Sequence, residues 1–248
     1  MEVSARVGAA ASLRDQVALV AGGAGVVGAG AVRSFLKLGA TVIVPSRSQQ
    51  KLDDLIATVP ESDRPRLLTL VASAGSPEGV EKIVKFLDDN ELKVNHVVSS
   101  LGTLWFKGQT IGQPVSEWDK MLGDGARSHF VFTTQILPKI ADTKNATFTY
   151  VTGRLGEGMR MPNVGLMCID YTCIYGLIMV AQEEMKEKPI RINEFRLGLY
   201  VTREKQELAD ECGMVLAGLA TTKGLAVKEK LVRIAKEEDL ATWHQKLH

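Results

Sequence analysis

The sequence predicts an α/β fold: one doubly wound parallel sheet with helices on both faces. Three observations point to it. Short apolar, β-branched runs alternate with segments of helical periodicity along nearly the whole 248 residues. Those runs lack the polar alternation of a sheet with one wet face, so both of their faces are buried. A glycine-rich turn separates the first run from the first helix, where such folds place phosphate groups.

The elements follow in order. Residues 16–21 form a strand that runs straight into the glycines. Residues 28–38 repeat apolar positions on one helical face (Val27, Ala31, Phe35, Leu38), and Gly39 ends that helix. Strands are expected over 41–44, 67–71 and 94–99, with a helix over 77–89 opened by Pro77 and Glu78. A helix capped by Ser116 is expected to run to residue 137. Then come a strand at 146–152, a long helix over 164–186, a strand at 190–197, a helix over 207–219 and a last strand at 230–234. That makes seven strands, with no repeat, low-complexity tract or linker.

Composition narrows the function classes. A chain of this length fits one large domain, and its 45% hydrophobic content supplies a core of that size. The net charge of +1, with acids and bases interspersed, gives no electrostatic ground for a nucleic-acid or membrane partner. Cys168, Cys173 and Cys212 have neither metal nor redox spacing; they read as reduced thiols of a cytoplasmic protein, and no metal site is expected. The most apolar stretch, 171–181, is shorter than the roughly 20 residues of a membrane span, and Asp170 stands at its start. Residues 1–15 lack the apolar centre of a signal peptide. They read as a flexible arm, or a weak targeting segment, before a single nucleotide-binding domain over 16–248.

The turn reads Gly22-Gly23-Ala24-Gly25-Val26-Val27-Gly28, and Gly23-x-Gly25-x-x-Gly28 satisfies the dinucleotide fingerprint of a Rossmann-type fold. Glycines let the main chain turn tightly and approach a diphosphate, whose charge rests on amide N–H groups at the helix start. The second strand ends Val44-Pro45-Ser46-Arg47. A carboxylate there would accept from a ribose 2′-OH. Ser46 and Arg47 suit a 2′-phosphate instead, so NADP(H) is expected over NAD(H).

Taken together, these pieces resemble the short-chain dehydrogenase/reductase family over nearly the whole length. Ser99-Ser100-Leu101-Gly102 is similar to that family's Asn-Asn-Ala-Gly, Ile190-Arg191-Ile192-Asn193 to its Ile-Arg-Val-Asn strand, and Leu197-Gly198-Leu199-Tyr200-Val201-Thr202 to its Pro-Gly-x-x-x-Thr loop. The resemblance implies strand order 3-2-1-4-5-6-7. It also implies a homodimer or homotetramer through the helix at 164–186, and cofactor contacts at Ser73, Ser100, Leu101, Gly102, Gly198, Val201 and Thr202.

The family's chemistry needs an asparagine, a serine, and a tyrosine followed four residues later by a lysine. Here the asparagine position falls at Gly125 and the serine position at Gly153. The tyrosine and lysine positions fall at Met167 and Tyr171, or alternatively at Tyr171 and Tyr175; in either register the lysine is absent. Without it a phenol keeps a pKa near 10, and the roughly 10²–10⁴-fold help of general acid–base catalysis is lost. Candidate replacements are Tyr171, Asp170 and Arg154, with Tyr175, Arg160, Arg127, His129, Trp105 and Phe106 bordering the cleft. Asp170 stands out in its apolar surroundings, where a carboxylate seeks a partner such as Arg154. The sequence therefore supports a reductase of a small molecule already activated for hydride, an iminium or a polarised C=C or C=O. The alternative is a non-redox protein of the same fold, a cyclase, an isomerase or a sensor of NADP(H).

Overall fold

The computed structural model describes residues 12–221 and 227–245. β1 (Val17–Ala21) enters the glycine turn and α1 (Val26–Lys37); β2 (Thr41–Ser46), α2 (Gln49–Ala57), β3 (Leu67–Val71), α3 (Pro77–Asp89) and β4 (His96–Ser99) follow. The second half holds α4 (Val115–Asp124), α5 (Ala126–Ile140), β5 (Thr147–Gly153), α6 (Gly165–Glu184), β6 (Arg191–Leu197), α7 (Gln206–Ala220), β7 (Leu231–Ile234) and a short α8 (Glu238–Ala241). Every neighbouring pair of strands is parallel, in the order β3-β2-β1-β4-β5-β6-β7. This is the expected Rossmann-type sheet. The order reverses between β1 and β4, and the crevice at that switch point lies beyond their carboxyl ends.

Period-two alternation feeds two cores. Ala18 and Val20 of β1 pack with α1, α2 and α7, while Leu19 and Ala21 pack toward α3, α5 and α6. α1 and α7 meet backbone to backbone. A Cβ on Gly30 would stand 1.9 Å from the Ala209 carbonyl oxygen, and one on Gly213 would stand 2.1 Å from that of Gly30. Glycine is what allows that approach. The helix start expected at Pro77 is in place, with a cap that was not anticipated, Ser76 Oγ accepting from Gly79 N–H; past α1, at the expected Gly39 stop, the Gly39 and Ala40 N–H groups donate to Leu36 O and Phe35 O.

Several expectations need correction. The single helix expected to residue 137 is two, α4 and α5, broken at Gly125, whose backbone (φ −101°, ψ −100°) leaves the helical region. Ser116 is not its cap; Pro114 precedes α4 and Ser116 lies in the first turn. α2 was not anticipated, although Ser48 caps it by accepting from Lys51 N–H and Leu52 and Leu55 bury its inner face. The expected arm, 1–15, is not loose throughout: Leu13 is buried and its N–H donates to Leu38 O. The rest of that arm, 1–11, lies outside the described residues.

α6 is longer than the apolar run anticipated, and by length and composition alone it could cross a membrane. Its buried stripe of Leu166, Met167, Asp170, Ile174, Ile178 and Ala181 packs inward, with Ile174, Ile178 and Ala181 joining the core on that side of the sheet. That stripe packs one face of α6 onto the sheet.

Candidate cofactor and reaction site

The glycine turn is built for close approach. Gly22 sits at φ +80°, and a Cβ on it would lie 2.0 Å from the Ser100 carbonyl oxygen at the end of β4. Gly28 backs onto Gly22, where a Cβ would lie 2.2 Å from the Gly22 carbonyl. Gly23 packs against Val44 and Val32, and Val27 against the α1–α7 core. No side chain caps α1, so its first amides face the crevice.

Nine expected cofactor residues line one cleft: Gly22, Ala24, Gly25, Ser46, Arg47, Ser73, Ser100, Leu101 and Gly102. Val26 and Thr202 border an adjoining groove, together with Ala24 and Gly25. Gly198 lies further along, against Arg154, and Val201 is half-buried on the core. The sequence reading missed Ser48, Lys51, Asp124 and Ser128 in the cleft, because α2 was unassigned and the break at Gly125 unseen. Arg47, largely exposed, reaches Asp124 at 3.1 Å. The donor set fits a dinucleotide phosphate: uncapped helix amides at one end, and Arg47, Lys51 and three serine hydroxyls at the other.

His129 holds the β4 end of this cleft. The Leu101 carbonyl can only accept, so Nε2 donates to it at 3.1 Å and Nδ1 accepts from Ser99 Oγ at 2.8 Å. Burial lowers its pKa to about 4, so the ring is neutral. Its role is to fix the 99–101 turn.

The reaction side is filled differently. A Cβ on Gly153 would lie 2.6 Å from Tyr171 Cε2 and 3.0 Å from its hydroxyl, so the Tyr171 ring covers the serine position. Met167 instead joins Trp105, Met121, Val164 and Leu166 in a separate apolar cluster. Tyr171, and not Met167, lies against Gly153. Tyr175 is no substitute for lysine there; its hydroxyl donates to the Gly153 carbonyl, and the Arg196 guanidinium lies 3.6 Å from its ring centre. Burial, with the Asp170 charge adding to it, pushes the Tyr171 phenol up to about 12, the reverse of what a phenolate base requires.

Asp170 does not pair with Arg154. Its Oδ1 accepts from Ala126 N–H at 2.7 Å, capping α5, and its carboxylate fills the space a side chain on Gly125 would take, 2.0 Å from that Cβ position. Burial raises its pKa to about 6, against the opposing pull of that N–H. Arg154 is held by Glu157 at 3.2 Å. Arg160 also engages Glu157, and Arg127 reaches toward the Gly75 carbonyl. Trp105 is buried and donates from Nε1 to Glu117, while Phe106 stands exposed, edge-on to Tyr200 at 6.5 Å.

A Rossmann-type sheet, an open helix start at its switch point and a phosphate-suited cleft define a dinucleotide-binding protein. The profile of the short chain dehydrogenase family matches residues 16–213, and the chain belongs to that family. Among curated relatives, dehydrogenase/reductase SDR family member 4 of Mus musculus is 25% identical over 199 residues, covering 80% of this chain and 71% of that one. Dehydrogenase/reductase SDR family member 2, mitochondrial, of Homo sapiens is 24% identical over 229 residues, covering 92% and 78%. Among solved structures, the Pseudomonas aeruginosa RhlG/NADP active-site complex superposes with a TM-score of 0.77 at 18% identity, covering 89% of this chain and 94% of that one. A variant of ElxO with NADPH bound gives 0.78 at 16% identity, covering 87% and 95%. At these identities the superpositions speak for the fold.

Proposed function

We propose that this chain is an NADP(H)-dependent reductase that takes an acceptor already activated for hydride, an iminium or a polarised C=C or C=O. The observation that carries the reading is the asymmetry of the cleft. Arg47, Lys51, Ser46 and Ser48 gather where a 2′-phosphate would lie, whereas α6 carries no lysine to activate Tyr171. NADP or NADPH bound to RhlG and to ElxO supports the cofactor assignment.

Bound NADPH would supply the hydride. The open amides at the start of α1, residues 26–28, would hold the diphosphate, and Ser73, Ser100, Leu101 and Gly102 would wall the adenosine side. Gly198, Val201 and Thr202 flank the nicotinamide end. Tyr171 stays protonated at neutral pH and orients the acceptor by donating a hydrogen bond, a role that needs no shifted pKa. Asp170 acts through α5 and does not touch the acceptor, while Arg154 is paired with Glu157.

Two measurements test this. NADPH oxidation across iminium, enone and ketone panels is expected for the first two and weak for plain ketones; no turnover on any panel overturns the reductase. Arg47→Ala is expected to weaken NADPH about 10–100-fold while sparing NADH; equal losses for both would remove the NADP(H) preference.

One observation favours a second reading, in which NADP(H) is held without hydride transfer: the Tyr171 ring occupies the space over Gly153. Tight NADPH binding with no turnover supports that reading.

For assembly we propose a homodimer or homotetramer through α6, with α5 beside it. Phe130, Met179 and Val180 are exposed there at 56%, 68% and 51%. A face of that kind calls for a partner. Light scattering is expected to report a multiple of the 27.0 kDa chain, reduced to monomer by Met179→Glu; a monomeric wild type refutes it.

A further inference from the structure

We infer that the arginine cluster around Glu157 is a binding site for the carboxylate or phosphate of a small molecule, closed in this conformation by the chain's own Glu157 carboxylate. The inference does not depend on the NADP(H) reading.

Four guanidinium groups converge on one side chain. Arg154 Nε and Arg160 Nη2 lie 3.2 and 3.1 Å from Glu157 Oε2; Arg196 Nη1 and Arg233 Nε lie 3.1 and 2.9 Å from Oε1. The second carboxylate of the cluster, Glu194, is already engaged. Arg196 grips both of its oxygens, at 2.7 and 2.8 Å, and Thr152 donates to one of them. Four cations therefore share two anions. Arg160 and Arg233 keep 52% and 38% of their side chains exposed, so their charge is open to an anion arriving from solvent.

The donors are also underused. The Arg233 Nε–H is buried and makes no hydrogen bond, since its short approach to Glu157 has the wrong angle. This donor faces the Glu157 carboxylate in poor geometry, and an oxyanion seated differently would satisfy it better. Glu157 stands between Gly156, packed against Tyr175 and Tyr171, and Gly158, which adopts φ +148° with open space where a Cβ would point, so any movement of the carboxylate pivots on the Gly158 side. Arg160, half-exposed, gives solvent access. Placement matters too. Arg154 follows Gly153 directly, and Tyr175, stacked on Arg196, donates to the Gly153 carbonyl. The cluster thus lies beside the reaction edge of β5, within reach of the anionic end of a small molecule placed there.

Calorimetry at constant ionic strength, with inorganic phosphate and succinate as probes, tests the site. The wild type is expected to bind one of them with a Kd on the order of 1 mM. Glu157→Gln removes the internal competitor and is expected to tighten binding about tenfold; Arg160→Ala and Arg233→Ala are expected to weaken it about tenfold. The preferred probe names the ligand's group. NADPH affinity, measured in parallel, stays unchanged in all of these variants, which separates this site from the cofactor cleft. Circular dichroism checks folding. Should Glu157→Gln unfold, Arg160→Ala against wild type decides: lost affinity supports the site, and unchanged affinity overturns it. A folded Glu157→Gln that binds neither probe also overturns it.

Discussion

The two ends of the crevice differ in what they are made of. On the β1–β4 side the cleft is lined by glycines 22 and 25, beside the open amides of α1, and by the 100–102 turn, with Ser46, Arg47 and Lys51 at its far end. On the β5–α6 side the surroundings of Gly125 and Gly153 are side chains of α6. A site made of backbone survives most substitutions, provided a few glycines remain. A site made of side chains is lost or rebuilt one residue at a time. The packing reflects this: Tyr171 fills the volume over Gly153, and the Asp170 carboxylate fills the volume at Gly125.

The largest expected effect breaks the backbone half. Gly22→Ala places a Cβ 2.0 Å from the Ser100 carbonyl at a positive φ, and should cost about 4 kcal/mol or more along with NADPH affinity. Urea unfolding and fluorescence titration read both. Next comes the filled half. Gly153→Ser alone overpacks against the Tyr171 ring and should cost about 1–3 kcal/mol; adding Tyr171→Ala should recover part of it, a coupling that a double-mutant cycle measures.

Asp170 sharpens the comparison through pH. Its folded pKa is raised, to about 6 from 3.8, so the folded chain binds the proton more tightly than the unfolded one. Its favourable contribution is therefore present below pH 4 and is lost as pH rises through 6. Asp170→Asn keeps an acceptor for Ala126 N–H without the charge. It should raise stability at pH 7–8 by about 1–2 kcal/mol and flatten the slope of stability between pH 4 and 6. The smallest effect belongs to Asp124→Ala. Freeing Arg47 from an exposed 3.1 Å pair should tighten NADPH by only about twofold to fivefold.

Local patterns carried much of this in the sequence. The apolar runs of β1, β2 and β4, the Gly22–Gly28 spacing, the Pro77–Glu78 helix start and the Gly39 stop each depend on residues a few positions apart. So their physics is visible in one dimension. The sheet order came through the ordered set of family-like pieces. α2 escaped although Ser48, Leu52 and Leu55 mark it; its polar outer face hid a short helix among loop-like residues.

What the chain's order of residues determined by itself is a wound parallel sheet with a phosphate-gripping turn, because strand alternation and tight turning are properties of neighbours. What only the folded arrangement decided is which ring lies over Gly153, that Asp170 caps α5 instead of meeting Arg154, and that four arginines surround Glu157. Apart from the i,i+3 pairs that Arg154 and Arg160 make with Glu157, those pairings join groups from separate strands and helices. Such contacts are set by how the layers stack, and no local spacing encodes them.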